Sequence, residues 1–142
     1  MPIDYSQSEW RTLFANYGLT AHAAQLLEKT LLVLLGGVEC RGQGKQLGSY
    51  LLEFLTKHKR MPVSQVIEAL KRKLPFPSGL DTDLQEVFRQ RNDVIHHFFL
   101  DRFDGRDWAR PPAQMDRELR PICERLRSLQ DRVEALFEHV GL

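Results

Sequence analysis

Apolar residues recur at three- and four-residue spacing along almost the whole chain, which is the period of a helix with one buried face. No segment alternates apolar and polar residues or is enriched in β-branched residues, as a half-buried strand would be. The sequence therefore predicts an all-α protein, an antiparallel helical bundle of about five helices.

Two apolar stripes open the chain. The first includes Trp10 and Tyr17, and the second runs from Ala23 to Leu35. Gly18 lies between them, so they form either one long helix or two helices with a break. Because glycine often follows the last turn of a helix, the pair Gly36-Gly37 predicts the end of this region.

Glycines and prolines separate the next three helices. A glycine-rich turn precedes a helix that contains Leu47 to Leu55, and Pro62 begins the following one. The segment Pro75 to Gly79 ends that helix. Asp81 or Thr82 then caps a fifth helix, which ends between about Phe99 and Phe103.

The last third of the chain predicts a loop and one more helix. Residues Asp104 to Pro112 have loop composition. Beyond them, apolar residues alternate at spacings of four and three, as in helices that pack at a shallow angle. These are Met115, Leu119, Ile122, Leu126, Leu129, Val133, Leu136 and Val140. Pro121 interrupts the pattern, so the helix either kinks or begins there.

Length and composition fit one globular domain that comprises residues 1–142. The chain is 42% hydrophobic and 27% charged, close to ordinary globular usage. Its longest apolar run, Leu31 to Val38, is far shorter than the roughly 20 residues of a membrane span. The N-terminus lacks the basic start and the apolar core of a secretory signal peptide, and two isolated cysteines suit a reducing compartment. We expect a cytoplasmic protein without membrane contact.

The net charge of +1 conceals an uneven distribution, because residues 41–80 are strongly basic. Clustered cations of this kind bind RNA phosphates, or they simply belong to a helix end and a loop that water solvates. The candidate RNA-binding residues are Lys57, Lys59, Arg60, Lys71, Arg72 and Lys73.

Most chemical motifs are absent. The segment Gly42-Gln43-Gly44-Lys45 follows a helix and lacks the spacing of a phosphate-binding loop. There is no His-Glu-x-x-His motif, and no carboxylate cluster accompanies the histidines. The sequence therefore predicts neither a metal site nor a cofactor.

The fifth helix carries the candidate chemistry. Arg91 falls at the centre of its apolar face, where a charged guanidinium needs a partner or a cleft. Asn92 and His96 lie one turn apart on the flank of that face, so the three side chains could converge on one groove. In the structural alternative Arg91 pairs with Glu28, a carboxylate within the apolar second stripe, and His96 caps or packs.

The segment Arg91-Asn92-x-x-x-His96, followed by two phenylalanines, resembles the R-x4-H signature of HEPN domains. HEPN domains are helical bundles of about this length, and the Ala24 to Glu28 segment is similar to an early helix of some bacterial members. The resemblance covers the whole chain as architecture and one helix as motif. It implies metal-independent RNA cleavage by a homodimer, as in toxins and phage-defence effectors.

The residue roles implied by this resemblance fit their chemistry. His96 would move protons at the ribose 2′-hydroxyl or the leaving 5′-oxygen, and Arg91 would hold the phosphate. Asn92 would orient either group, and the products would carry 2′,3′-cyclic phosphate and 5′-hydroxyl ends. A spacing of five residues places Arg91 and His96 more than a quarter-turn apart, which a site shared by two chains would relieve.

One position departs from the family pattern. HEPN toxins that pair with a nucleotidyltransferase antitoxin carry a tyrosine two residues after the histidine, and this chain has Phe98. Control by modification of a tyrosine there is excluded. Two hypotheses remain: a HEPN-like endoribonuclease with an antitoxin or another protein as partner, and a catalytically inactive HEPN-like dimerisation or interaction module.

Overall fold

The computed structural model describes residues 3–103 and 110–141, which form five α-helices and a short 3₁₀-helix. No β-strand occurs in these two ranges, so the all-α prediction is confirmed. The helices are α1 Ser8–Gln43, α2 Leu47–His58, α3 Val63–Lys73, α4 Leu80–Asp101 and α5 Pro112–Glu134, and the 3₁₀-helix is Ala135–Val140.

The predicted end of the first helical region at Gly36-Gly37 is wrong, because α1 continues unbroken through both glycines to Gln43. Gly36 serves close packing: a Cβ atom there would stand 2.8 Å from Leu51 Cδ1 and 2.9 Å from Phe54 Cδ1. Gly44, which has a φ of 65°, follows the last residue of α1. A glycine with positive φ ends the helix, and a glycine in ordinary helical conformation does not.

The boundaries predicted for the middle helices are close to those observed. Pro62 immediately precedes α3, where its fixed φ suits a helix start. Leu74 is extended and ends α3. Gly79, which has a φ of 82°, precedes α4, so this helix begins at Leu80. The prediction that Asp81 or Thr82 caps it is wrong, because both residues lie inside the helix.

Helix α5 differs from its prediction at both ends. It begins at Pro112 and contains Pro121, so the helix does not start at the second proline. It ends at Glu134, and the chain continues as a 3₁₀-helix. Pro112 belongs to α5, whereas most of the predicted loop, residues 104–109, lies outside the described residues.

Contacts divide the chain into two compact units, and α1, α4 and α5 contribute residues to both. The first unit comprises Met1–Gln25 and Glu86–Arg127. In it α5 runs antiparallel to α4, since Gln90 bonds to Arg125 and Arg102 bonds to Glu118. Its core contains Trp10, Leu13, Val94, Phe98, Met115 and Leu119.

The second unit comprises Leu26–Gln85 and Ser128–Leu142. Gln130 Nε2 donates to Thr30 Oγ1 at 2.9 Å, and this bond joins the end of α5 to α1. The buried hydrophobic residues of this unit are Leu27, Leu31, Leu34, Leu35, Cys40, Phe54, Val66, Ile67, Leu70, Leu80, Leu84, Leu129, Val133 and Leu136.

Candidate functional site

Helix α4 carries the candidate motif in the first unit. Val94 and Phe98 on its inner face are buried, whereas Asn92 and His96 are exposed. Arg91 is half-buried, and its Cζ atom lies 5.2 Å from the centroid of the Phe88 ring on the same helix. The helical period thus explains which residues of the motif face solvent.

Aromatic contacts from α1 fix the helix turn that carries His96. The ring centroid of Phe99 lies 4.9 Å from that of Tyr17 and 5.8 Å from that of Phe14. The Tyr17 hydroxyl also donates to the Ile95 carbonyl at 3.5 Å. Aromatic pairs at these separations stabilise beyond the area they bury, so the backbone beside His96 is well supported.

Arg102 anchors the segment at the end of α4. Its Cζ atom lies 4.2 Å from the centroid of the Phe98 ring, and its Nη1 donates to the Phe98 carbonyl at 2.9 Å. Its Nε donates to Glu118 at 2.6 Å. Sequence reasoning missed this arginine, although its position four residues after Phe98 was a readable signal.

The motif does not converge within one chain. At roughly 100° per residue, Arg91 and His96 point about 140° apart around the helix axis. The side chains of Asn92 and His96 form no hydrogen bond or ion pair with residues 3–103 or 110–141, and the His96 ring centroid lies 6.2 Å from that of His97. The exposed pair is therefore available to a ligand or to another chain, while Arg91 turns towards Phe88.

Arg89 is a cation that sequence reasoning missed. Seven residues separate it from His96, which places the two only about 20° apart on the helix surface. Its guanidinium makes two hydrogen bonds to Glu86, at 3.0 Å and 2.6 Å, and these bonds hold the pKa of Glu86 below its ordinary value. The same bonds, with a smaller contribution from the charge of Asp93, raise the pKa of Arg89.

A second missed cation comes from α5. Arg125 Nη1 donates to Gln90 Oε1 at 2.5 Å, which places a guanidinium beside the residue that precedes Arg91. Neither spacing nor composition could reveal it, because 35 residues separate the two partners.

All six residues of the predicted RNA-binding set are in the second unit, and the motif is in the first. Two of these cations are engaged in ion pairs, since Lys71 Nζ lies 2.9 Å from Asp81 and Lys73 Nζ lies 3.1 Å from Glu39. The remaining four, Lys57, Lys59, Arg60 and Arg72, are exposed. Their binding to RNA stays a prediction.

The structural partner predicted for Arg91 is also in the second unit. Glu28 is half-buried on α1. The pairing of these two residues stays a prediction.

Within the described ranges, no three His, Cys, Asp or Glu side chains group as metal ligands would. Among the described helices, none combines the length and apolar character that a membrane crossing needs.

The chain matches no protein-family model, no curated protein and no solved structure.

Proposed function

We propose that this protein is a metal-independent endoribonuclease of the HEPN type that acts as a homodimer. The observation that carries the proposal is the placement of Asn92 and His96, which are exposed one turn apart on a helix whose inner face is anchored by a core. A histidine held on a rigid backbone and open to solvent has the access that acid–base catalysis requires.

The reaction requires no metal or cofactor. His96 accepts the proton of a ribose 2′-hydroxyl while that oxygen attacks the adjacent phosphorus, and the bond from phosphorus to the 5′-oxygen breaks. The leaving oxygen then takes a proton from the imidazolium or from water. Arg91 neutralises the charge that develops on the phosphoryl oxygens, and Asn92 orients the phosphate by hydrogen bonding.

The divergent directions of Arg91 and His96 support a site built from two chains. In a two-fold symmetric dimer, Arg91 of one chain and His96 of the other can face the same phosphate. If the protein acts as a toxin or a phage-defence effector, an antitoxin or another protein that covers this face would block its cleavage of RNA.

The alternative is a catalytically inactive HEPN-like dimerisation or interaction module. The contact of the Arg91 guanidinium with Phe88 favours it, because a half-buried arginine stacked on an aromatic ring already has a structural role. The exposure of His96 favours the ribonuclease.

The deciding experiment incubates a mixed RNA pool with the purified protein in EDTA and analyses the product ends. We expect 2′,3′-cyclic phosphate ends from the wild type and none from His96→Ala. His97→Ala is the matched control, since it removes an exposed imidazole from the next position and should leave cleavage unchanged. Equal inactivity of the folded wild type and both variants would favour the interaction module.

A mixing experiment tests the shared site. Arg91→Ala and His96→Ala are each expected to be inactive alone, but heterodimers of the two contain one intact pair. Random exchange of subunits makes half of the dimers heterodimers, and each heterodimer has one intact site where the wild-type dimer has two. Cleavage should therefore recover to about a quarter of the wild-type level. No recovery in a sample shown to contain heterodimers would contradict a site that pairs Arg91 with the partner's histidine.

A further inference from the structure

The second unit contains a cleft of about 440 Å³ that no part of the proposed reaction uses. It is lined by residues of α1, α2 and α3 and by Lys45 and Met61 of the connecting turns. One wall is a row of rings on α2, where Tyr50, Phe54 and His58 follow one another at four-residue spacing.

The aromatic wall is rigidly supported. The Tyr50 and Phe54 ring centroids are 6.2 Å apart with planes 28° from parallel, and those of Phe54 and His58 are 4.4 Å apart. Phe54 is 9% exposed and packs against Gly36 of α1. Gln43 Nε2 donates to the Tyr50 hydroxyl at 3.2 Å, which holds the outer ring. The π-faces are therefore fixed before any ligand binds.

Charged side chains surround these rings. Lys45 Nζ lies 5.3 Å from the centroid of the Tyr50 ring, and Lys57 forms no ion pair with residues 3–103 or 110–141. Glu39 is engaged by Lys73 at 3.1 Å, so its charge is balanced within the unit. Glu53 forms no ion pair with the described chain and offers a hydrogen-bond acceptor. The cleft thus combines flat apolar surface, two available ammonium groups and one available carboxylate.

We propose that this cleft binds one nucleotide of a single-stranded RNA, an inference that rests on the proposed function for the identity of the strand. The base lies against the ring wall of α2, and the phosphate lies between Lys45 and Lys57. Glu53 accepts a hydrogen bond from a base amino group. Stacking surfaces beside cations are how proteins hold single strands without strict sequence preference.

Other ligands use only part of this arrangement. A simple anion has no need of a row of rings, and a neutral apolar molecule has no need of two ammonium groups at the rim. A nucleotide uses the rings, the cations and the acceptor together. The inference also gives Lys57, one of the predicted RNA-binding residues, a defined place on the protein.

The test measures binding of the full chain to a 2′-O-methyl RNA of about ten nucleotides, within the range that one binding module covers. This RNA lacks the 2′-hydroxyl needed for cleavage, so binding is measured apart from catalysis. Fluorescence anisotropy at several salt concentrations gives both the affinity and the number of phosphates neutralised. The control Lys29→Gln removes an exposed cation of the same unit that does not line the cleft.

The lysines and the ring should act differently. Lys45→Gln with Lys57→Gln should weaken binding and lower the salt slope by about 0.7, because the two lysines neutralise one phosphate and each neutralised phosphate of a single strand contributes about 0.7. Tyr50→Leu should weaken binding about tenfold at an unchanged slope, as loss of one stacking contact does, and Tyr50→Phe should bind like the wild type. Lys29→Gln should retain the wild-type slope and affinity.

Three results would overturn the inference: no binding by the wild type, wild-type binding by the folded lysine double variant, or a free 5′-mononucleotide that binds as tightly as the RNA. The proposed function fails separately. If the wild type does not cleave RNA but the cleft variants still lose binding as described, the binding site stands and the ribonuclease proposal is wrong.

Discussion

Replacing Gly36 by alanine tests whether α1 and α2 approach as closely as described. A Cβ atom at this position would stand under 3 Å from side-chain atoms of Leu51 and Phe54. Gly18 provides a matched control, because it also lies inside α1 but has open space where its Cβ would stand.

The expected magnitudes follow from two opposing effects. Alanine is favoured over glycine inside a helix by about 0.8–1.0 kcal/mol, so Gly18→Ala should stabilise the protein by about that amount. The same gain applies at Gly36, but overpacking costs about 1–3 kcal/mol. Gly36→Ala should therefore be destabilising by about 0–2 kcal/mol, and the difference between the two variants measures the close contact alone.

Urea unfolding followed by circular dichroism measures both variants against the wild type. The midpoint should rise for Gly18→Ala and stay level or fall for Gly36→Ala at an unchanged slope. Equal stabilisation by the two substitutions would refute the close approach of α1 to α2. Since Phe54 lies against Gly36 and lines the cleft, Gly36→Ala should also weaken RNA binding there.

Three further predictions concern stability. Asp116→Ala should lower the free energy of unfolding by about 1–3 kcal/mol, because Asp116 is 3% exposed and accepts a 2.6 Å bond from Asn16; urea titration measures this loss. Leu13→Ala should lower it by about 2–5 kcal/mol, since Leu13 is fully buried, and wild-type stability would contradict the core assignment. The Lys71–Asp81 hydrogen bond lowers the pKa of Asp81 and raises that of Lys71. Its stabilisation should therefore be present between about pH 4 and 10 and be lost outside that window, so melting temperatures of wild type and Asp81→Asn should converge in acid.

The boundaries of the middle helices were largely predictable because the residues that set them act locally. Pro62 acts on its own backbone, so the start of α3 follows from the sequence alone. The start of α4 was predicted slightly late, because Asp81 and Thr82 have the composition of caps but lie inside the helix. The helix end predicted at Gly36 was wrong because this glycine allows close packing against Phe54 of another helix, which the local sequence does not show. Pro121 was ambiguous for a similar reason: one missing N–H weakens a helix, and tertiary packing decides whether the helix ends.

The candidate site was predictable only as a helix face. The period of α4 correctly placed Asn92 and His96 beside the apolar stripe, and their exposure follows from it. The position of Arg125 beside Gln90 and the cleft around Tyr50 depend on how separate helices meet. The helical period of one helix carries no information about which residues of other helices it contacts.

The long α1 helix has a consequence for the order of folding. Two of its hydrogen-bond partners lie a hundred positions downstream on α5, since Asn16 bonds to Asp116 and Thr30 bonds to Gln130. During synthesis α1 leaves the ribosome long before α5 is made, so the apolar side chains of α1 that pack against α5 stay uncovered during that time. Contacts this distant in sequence slow the search for the native state. A nascent chain that stalls before α5 is complete should therefore expose apolar surface and recruit chaperones.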